Sequence, residues 1–387
     1  MAVLASVSAV FLATSSAPTP LYGVYATSWG LSAAQTSLVF GAYAFALLSA
    51  LLVLGRFSEH VGRRTVIRHA LLVQVVAMLV FAAAEGVTAL LVGRVLQGLS
   101  TGAGLAAVGA ALLDTDADTG LGRVVNAAAP PVGSAIGALA SGLLVAYAPL
   151  PTRLIYLLLA VVLLIQIAAL ALVSETAPRT PGVLSSLRPG LRAPQRVRAP
   201  LGAAIPVLFA VWAVSGLFGA FGPDLTEHLT GSSSPVLATL PFVIVGAVAP
   251  VTAFCTTALR ARSALAYGIT GLLSAVALTG LSLVWGQAWL LLVGASLAGG
   301  GFGVGFRGGM DLVLPAVGEA DRAGTLALLY TASYMGFGVP AIVAGLVLQH
   351  TRSLPATTLG YCGVVALLGL TAAGFLRKTA RHERTAP

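Results

Sequence analysis

The chain has 387 residues, of which 58% are hydrophobic and 9% are charged, and its formal net charge at pH 7 is +9. This composition excludes an ordinary soluble globular protein, in which about 25% of residues are charged. Nucleic acid is not indicated as a partner, because the basic residues lie in short connections between apolar runs, where Lys and Arg set membrane orientation. The cysteines, Cys255 and Cys362, lie within apolar runs and do not predict a disulfide framework.

Twelve apolar runs follow one another, each long enough for the roughly 20 residues of a transmembrane helix. The sequence therefore predicts an all-α integral membrane protein with twelve transmembrane helices in two pseudo-symmetric six-helix bundles. No charged residue precedes Arg56, and without a basic leader the first run predicts a membrane helix rather than a cleaved signal peptide. The predicted spans are about 3–24, 34–55, 68–86, 88–112, 124–147, 154–173, 201–222, 236–259, 264–285, 289–310, 324–348 and 356–376.

The distribution of basic residues predicts the orientation. If the amino terminus is cytoplasmic, 18 of the 21 Lys and Arg residues fall in cytoplasmic connections, and the exceptions are Arg94, Arg153 and Arg352. Such a bias follows the positive-inside rule. We therefore expect a multi-pass protein of the plasma membrane with both termini in the cytoplasm.

The longest connection, 174–200, is rich in Pro, Gly, Ser and Arg. It predicts a flexible cytoplasmic linker between an amino-terminal bundle at 1–173 and a carboxy-terminal bundle with a short basic tail at 201–387. A shift of 203 residues aligns the halves and predicts a structural repeat. The aligned pairs are Pro20 and Pro223, Thr36 and Thr239, Gly98 and Gly301, Gly102 and Gly305, Gly133 and Gly336, and Gly142 and Gly345.

The connection after the second span reads Gly55-Arg56-Phe57-Ser58-Glu59-His60-Val61-Gly62-Arg63-Arg64. It resembles the signature of the major facilitator superfamily: Gly, three residues, Asp, Arg, any residue, Gly and two basic residues. Glu59 replaces the usual Asp and His60 the usual Arg. The resemblance implies a membrane transporter, with Gly62 permitting the chain reversal and the two arginines holding the loop in the cytoplasm. A plain basic loop is the alternative.

The fourth span contains Arg94-Val95-Leu96-Gln97-Gly98, which resembles a second signature of the superfamily. In that family the Arg takes part in proton coupling or substrate binding. A buried Arg costs about 3 kcal/mol on insertion scales, so we expect Arg94 to face the protein interior or a cavity. The alternative is that it snorkels outward. In the fifth span, 129–133 only partly resembles the antiporter signature, because the Gly-Pro and Gly-Gly pairs are missing.

No enzyme chemistry is indicated. The five histidines are scattered, and the chain lacks a Walker-type phosphate loop, so we expect no catalytic site, no metal and no cofactor. In the family fold, spans 1, 4, 7 and 10 usually line the centre, with parts of spans 2, 5, 8 and 11. Each candidate on these spans also fits plain packing. The substrate-binding candidates beside Arg94 are Ser15, Ser16, Phe40, Tyr43, Gln97, Thr101, Trp212, Phe242, Tyr330 and Tyr334.

These residues predict an aromatic cavity with a single cation, which suits an uncharged or amphipathic substrate. The leading interpretation is a secondary active transporter similar to drug–proton antiporters, exporting a small hydrophobic or amphipathic compound in exchange for protons and working as a monomer in the bilayer. One alternative is uptake or facilitated diffusion of a small nutrient. The other is a non-transporting membrane sensor.

Charged residues near the cytoplasmic side suggest a gate. We expect Glu59 to pair with Arg322 at the start of the eleventh span, and Arg260 and Arg262 to face acidic residues near the fifth span. Solvated loop charge is the alternative. The acidic residues are Asp114, Asp116 and Asp118.

For energy coupling, Asp224 after Pro223 is the proton-site candidate, with Arg94 as its switch, because a movement separating the two charges would favour proton uptake. The alternative is that Asp224 is a solvated loop residue next to Glu227.

Overall fold

The computed structural model describes residues 1–115, 121–177, 180–181 and 194–385, without the side chains of residues 123, 319, 320, 323 and 378–385. Most of the predicted linker therefore lies outside the described residues. Asp116 and Asp118 of the predicted gate lie outside them too.

Every regular element in the described part of the chain is a helix, and twelve helices are long and apolar enough to cross a membrane. This confirms the predicted fold class. We number them span 1 to span 12. Their bounds are Ala2–Trp29, Ala33–Leu54, Arg63–Ala82, Val87–Thr115, Val124–Tyr147, Leu154–Leu172, Gln195–Thr230, Pro235–Cys255, Ala261–Trp285, Ala288–Ala316, Gly324–Thr351 and Leu354–Arg377.

Several helices continue beyond these apolar limits, or are interrupted within them. Span 1 consists of the helix Ala2–Ser16, the 3-10 turn Thr19–Leu21 and the helix Tyr22–Trp29. A short helix, Ser58–Val61, lies between spans 2 and 3. The helices that contain spans 5, 11 and 12 are Leu121–Tyr147, Glu319–Thr351 and Leu354–Thr385, and span 7 consists of the 3-10 turn Gln195–Val197 and the helix Arg198–Thr230.

Local signals set the connection between spans 1 and 2. Gly30 ends span 1 in the left-handed conformation, with φ +64°, which glycine adopts without steric cost. Ser32 then forms a capping box: its hydroxyl accepts from the Gln35 backbone N–H at 3.2 Å, and the Gln35 side chain accepts from the Ser32 N–H at 2.9 Å.

Span 7 is longer than the sequence predicts. The helix passes through Pro223 and ends at Thr230, where Gly231 has φ +66°. Membrane helices tolerate such a proline when neighbouring groups satisfy the freed carbonyl. Asp224 therefore lies within a helix, and the alternative that placed it in a loop is wrong.

Contacts divide the chain into two compact units. Unit 1 comprises Met1–Pro189 with Ser234–Thr239, and unit 2 comprises Gly190–Ser233 with Leu240–Pro387. Within unit 1, span 1 packs on span 5, and span 4 packs on spans 2 and 3. Within unit 2, span 10 packs on spans 7 and 9, and span 11 packs on span 7.

Glycines bring the backbones of unit 1 into contact. A Cβ on Gly98 would lie 2.5 Å from the Tyr43 carbonyl oxygen in span 2, and one on Gly133 would overlap the Ala9 carbonyl in span 1. Small residues allow this close approach, which maximises dispersion contacts between helices in lipid.

Unit 2 repeats the Gly98 contact in a different register, whereas Gly336, the predicted counterpart of Gly133, packs on the Phe209 carbonyl of span 7 as predicted. A Cβ on Gly299 would lie 2.8 Å from the Val245 carbonyl oxygen, and one on Gly303 would overlap the Ala249 carbonyl. Spans 8 and 10 therefore pack as spans 2 and 4 do, with glycines 201 residues later rather than 203. Gly301, which the sequence alignment paired with Gly98, packs on span 9 instead.

Candidate functional site

Arg94 is the only charged side chain that is fully buried among those the structure describes, with 1% of its surface exposed. Its Nη1 donates to the Ser15 carbonyl at 2.7 Å and to the Gln97 Oε1 at 2.6 Å. Its Nε donates to the Tyr22 hydroxyl at 2.9 Å, and Nη2 donates to the same oxygen. Arg94 therefore faces the interior of unit 1, and the snorkelling alternative is wrong.

The break in span 1 explains why carbonyl groups are available to this cluster. Pro18 has no N–H, so the Thr14 carbonyl one turn earlier lacks its helical donor. Gln97 Nε2 donates to that carbonyl at 2.8 Å. Ser141 of span 5 similarly donates to the Ala17 carbonyl at 2.6 Å. The Pro18-x-Pro20 pattern is a sequence signal for this break, and it was not among the features from which the site was predicted.

Two tyrosine rings flank the guanidinium group. The Arg94 Cζ lies 5.5 Å from the Tyr22 ring centroid and 5.6 Å from the Tyr43 centroid, within cation–π range. Phe40 packs edge-to-face on Tyr22 at 6.4 Å. The structure thus brings Ser15, Phe40, Tyr43 and Gln97 together around Arg94. Tyr22 was missed, because the sequence analysis took it for the end of an ordinary span.

Ser16 and Thr101 differ in their surroundings. The Ser16 hydroxyl donates to the Ser134 carbonyl of span 5 at 2.7 Å, which is a packing contact between helices. Thr101 is fully buried, and its hydroxyl has no hydrogen-bond partner in the described part of the chain. The Tyr43 hydroxyl lies near those of Ser15 and Thr101 but makes no hydrogen bond of acceptable geometry with either.

In unit 2 the predicted aromatic residues form a cluster around Trp212. Its ring centroid lies 4.9 Å from Tyr334, 5.1 Å from Phe302 and 5.8 Å from Phe337. Tyr330 extends the cluster at 6.5 Å from Tyr334. Phe242 in span 8 is partly buried and is not among the described ring contacts of this cluster.

Three aromatic residues of this cluster were not among the candidates predicted from the sequence. Phe302 and Phe306 lie one turn apart in the glycine-rich span 10, with their rings stacked at 5.9 Å, and Phe337 lies in span 11. Phe337 lies seven residues after the candidate Tyr330, and this helical spacing was an available signal. The Trp212 indole nitrogen has no hydrogen-bond partner among the described residues.

The loop with the superfamily signature is held by residues that follow span 6. Glu175 accepts hydrogen bonds from the backbone N–H groups of Arg63 and Arg64, at 2.7 and 3.1 Å. Thr180 donates its backbone N–H to the His60 carbonyl at 3.1 Å. Glu175 was missed because it lies in the predicted linker, where no pattern indicates a contact.

The charged residues of the predicted gate have the following contacts and exposure within their own units. Glu59 pairs with Arg56 at 3.7 Å, and Asp114 pairs with Arg63 at 3.3 Å. Arg260 occupies the N-cap position of span 9. Arg262 is partly buried in the first turn of span 9, and Arg322 is exposed near the start of span 11.

The proton-site candidate is exposed. Asp224 and Glu227 lie three residues apart on one face of the span 7 helix, and both residues are exposed at the protein surface. Glu85 lines a recess with Arg153, Tyr25 and Trp29 at the end of unit 1 opposite the signature loop. Among the described residues, no group of three His, Cys, Asp or Glu is placed to hold a metal ion.

A sequence model of the Major Facilitator Superfamily matches residues 4–262. The chain belongs to this superfamily. It is therefore a multi-pass membrane protein and a transporter of the major facilitator type rather than an enzyme. A comparison with curated protein sequences finds no significant match.

Solved structures of the major facilitator superfamily share the fold across almost the whole chain. A crystal structure of the nucleoside transporter NupG has a TM-score of 0.77 at 13% identity, over 96% of this chain and 98% of that one. A POT family transporter in complex with 5-aminolevulinic acid has a TM-score of 0.78 at 12% identity, over 97% and 96%. A D-xylose-proton symporter has a TM-score of 0.74 at 15% identity, over 96% and 95%. At these identities the likeness shows the fold alone.

Proposed function

We propose that this transporter carries a small amphipathic compound across the plasma membrane in exchange for protons, as an exporter and as a monomer with both termini in the cytoplasm. The observation that supports this proposal best is the buried cluster around Arg94. It offers a positive charge and several polar groups within an otherwise apolar bundle. A polar substrate group is the natural partner of such a cluster, because burying polar atoms is favourable only when they are paired.

The aromatic cluster of unit 2 also supports an amphipathic substrate. Ring centroids 4.9 to 6.1 Å from that of Trp212 form a surface that favours apolar or aromatic groups. A sugar phosphate or a dicarboxylate matches neither cluster well, since Arg94 is the only described buried cation.

Three features support export in exchange for protons. Two are the segments that resemble superfamily signatures, in the loop 55–64 and at 94–98 in span 4. The third is the pair of carboxylates in span 7. Asp224 is our candidate for the proton site, with Arg94 as its switch, and Glu227 adds a second negative charge one turn away. Because Asp224 is exposed, coupling requires a movement that changes its surroundings during the transport cycle.

Uptake is the second candidate function. The solved structures with the same fold include a nucleoside transporter and a D-xylose-proton symporter, which favour entry of a polar nutrient as an alternative. A non-transporting sensor is the third.

Flux measurements separate these candidates. Compounds that stabilise the purified protein in a thermal-shift screen are tested in proteoliposomes of known orientation, with and without a pH gradient. An exporter exchanging substrate for protons accumulates substrate only when the gradient is present, and in the opposite direction to proton flow. A symporter accumulates it in the same direction, and a facilitator equilibrates it regardless. Absence of flux for every stabilising compound would contradict transport.

A further inference from the structure

Hydrogen-bond donors exceed acceptors around Arg94. A guanidinium group has five N–H donors. Four of them reach the Tyr22 hydroxyl, the Ser15 carbonyl and Gln97, which leaves one Nη2 hydrogen without a described acceptor. The Tyr22 oxygen accepts from Arg94, and its own proton has no described acceptor either.

Two more donors join this group. The hydroxyls of Tyr43 and Thr101 are buried, with 6% and 0% of each residue exposed, and neither has a partner among the described residues. Thr101 lies seven residues after Arg94, which places both on one face of span 4. The Tyr43 ring lies over the guanidinium group. The Tyr43 hydroxyl lies near that of Thr101, so Tyr43 connects the guanidinium group to the Thr101 hydroxyl two turns further along span 4.

The charge itself is uncompensated in this cluster. All described partners of Arg94 are neutral, and none of the described ion pairs includes it. A guanidinium group carries a fixed positive charge in proteins. Burying an unpaired charge and leaving hydroxyls unsatisfied are both unfavourable, and an anion that accepts several hydrogen bonds relieves both costs at once.

The acceptors that remain are few. Gln74 Oε1 is buried without a partner, while its Nε2 donates to the Thr14 hydroxyl at 2.5 Å. The hydroxyls of Tyr22, Tyr43 and Thr101 can accept as well as donate, whereas the spare Nη2 hydrogen of Arg94 can only donate and its charge has no anionic partner among the described residues. A cationic or purely donating ligand is therefore disfavoured at this position.

We infer that the polar group bound at Arg94 is a single carboxylate or comparable monoanion, which accepts hydrogen bonds from Arg94 and from the hydroxyls of Tyr22, Tyr43 and Thr101. This inference rests on the proposed function, because it names the chemical class of the transported compound. It replaces the expectation of an uncharged substrate. One cation matches one negative charge, so the compound is an amphipathic monoanion rather than a dianion or a phosphate monoester.

The test uses matched probes that differ only in the head group. The purified full chain is titrated with 3-phenylpropionate, 3-phenylpropionamide and 3-phenylpropylamine, and binding is followed by calorimetry and by the shift in melting temperature. The carboxylate is expected to bind most tightly. Tyr43→Phe and Thr101→Val should each weaken its binding by about tenfold or more, as expected for the loss of one hydrogen bond to a charged group, and leave the amide nearly unchanged.

Matched controls separate binding from folding. Ser100→Ala removes a neighbouring hydroxyl of span 4 that donates to the Ala70 carbonyl, and Tyr361→Phe removes a buried phenol that donates to the Ala213 carbonyl. These variants should keep the parent affinity for the carboxylate. Without ligand, Tyr43→Phe should melt at the parent temperature or above it, since it removes an unsatisfied group, whereas Tyr361→Phe should melt lower.

The inference is overturned if the amide or the amine binds as tightly as the carboxylate, if no probe binds, or if Tyr43→Phe and Thr101→Val keep the parent affinity. Flux in proteoliposomes distinguishes this failure from failure of the proposed function. Transport of neutral or cationic compounds without anion preference overturns the monoanion and leaves transport intact. Selective anion binding without flux supports the monoanion and contradicts the transport of amphipathic compounds.

Discussion

The Glu175 carboxylate caps the first turn of span 3, with Oε1 2.7 Å from the backbone nitrogen of Arg63. The first N–H groups of a helix have no partner within it, and a carboxylate there satisfies them and complements the helix dipole. Gly62, directly before this turn, has φ +101°, and a Cβ on it would lie 2.6 Å from Oε2 of Glu175. The signature loop and the segment after span 6 therefore form one structure.

Glu175→Ala is expected to destabilise the protein. Loss of the cap leaves backbone N–H groups unpaired, at a cost of about 1 kcal/mol. Thermal unfolding in detergent measures it. Glu59→Gln is the matched control, because it removes an exposed carboxylate whose ion pair with Arg56 contributes little to stability. Equal melting temperatures for the two variants would contradict the capping role.

Glu59→Gln also tests the predicted cytoplasmic gate. If Glu59 pairs with Arg322 during the cycle, the variant should change both the transport rate and the labelling of cytoplasmic-side cysteines. The effect should be modest, since an exposed ion pair contributes about 0.2–1 kcal/mol. If both measurements are unchanged in the variant, the gate hypothesis is contradicted.

Arg94→Lys is expected to reduce flux at least tenfold. Lysine keeps the positive charge but replaces the planar guanidinium group by a point charge with three donors, so the double contact with Tyr22 and the contacts with Ser15 and Gln97 are not reproduced together. Initial rates in proteoliposomes measure the loss, and melting temperature checks folding. Parent rates in the folded variant would mean that charge alone is sufficient.

Gly133→Ala is expected to destabilise unit 1 by about 1–3 kcal/mol, because the added Cβ overlaps the Ala9 carbonyl and forces spans 1 and 5 apart. Gly202→Ala is the control, since no atom lies within 4 Å of its added Cβ, and alanine favours a helix by about 0.8–1 kcal/mol. The two substitutions should therefore shift the melting temperature in opposite directions. Shifts of the same sign would contradict the packing argument.

Asp224→Asn tests proton coupling. The variant cannot lose and regain a proton, so uphill transport driven by a pH gradient should be abolished while downhill exchange continues. Glu85→Gln, which changes an exposed carboxylate of unit 1, should keep both activities. Uphill transport that survives in Asp224→Asn would exclude this site and direct the search to Glu227.

Much of the fold was predictable because its signals are local. In lipid each span must satisfy its backbone hydrogen bonds within one helix, so about 20 apolar residues suffice to identify it. The burial of Arg94 was predictable too, because its cost in lipid demands polar surroundings. The capping box at Ser32 and the left-handed conformation of Gly30 also depend only on residues close by in the sequence.

Contacts between distant residues were decided only by the tertiary structure. Glu175 caps a helix 112 residues away in sequence. Span 10 contains so many glycines that several registers are sterically open, and packing against Val245 and Ala249 selects Gly299 and Gly303. Tyr22 becomes a hydrogen-bond partner of Arg94 only because the prolines interrupt span 1. Hydrophobicity determines which segments cross the membrane, whereas the fit of particular surfaces determines which side chains meet inside it.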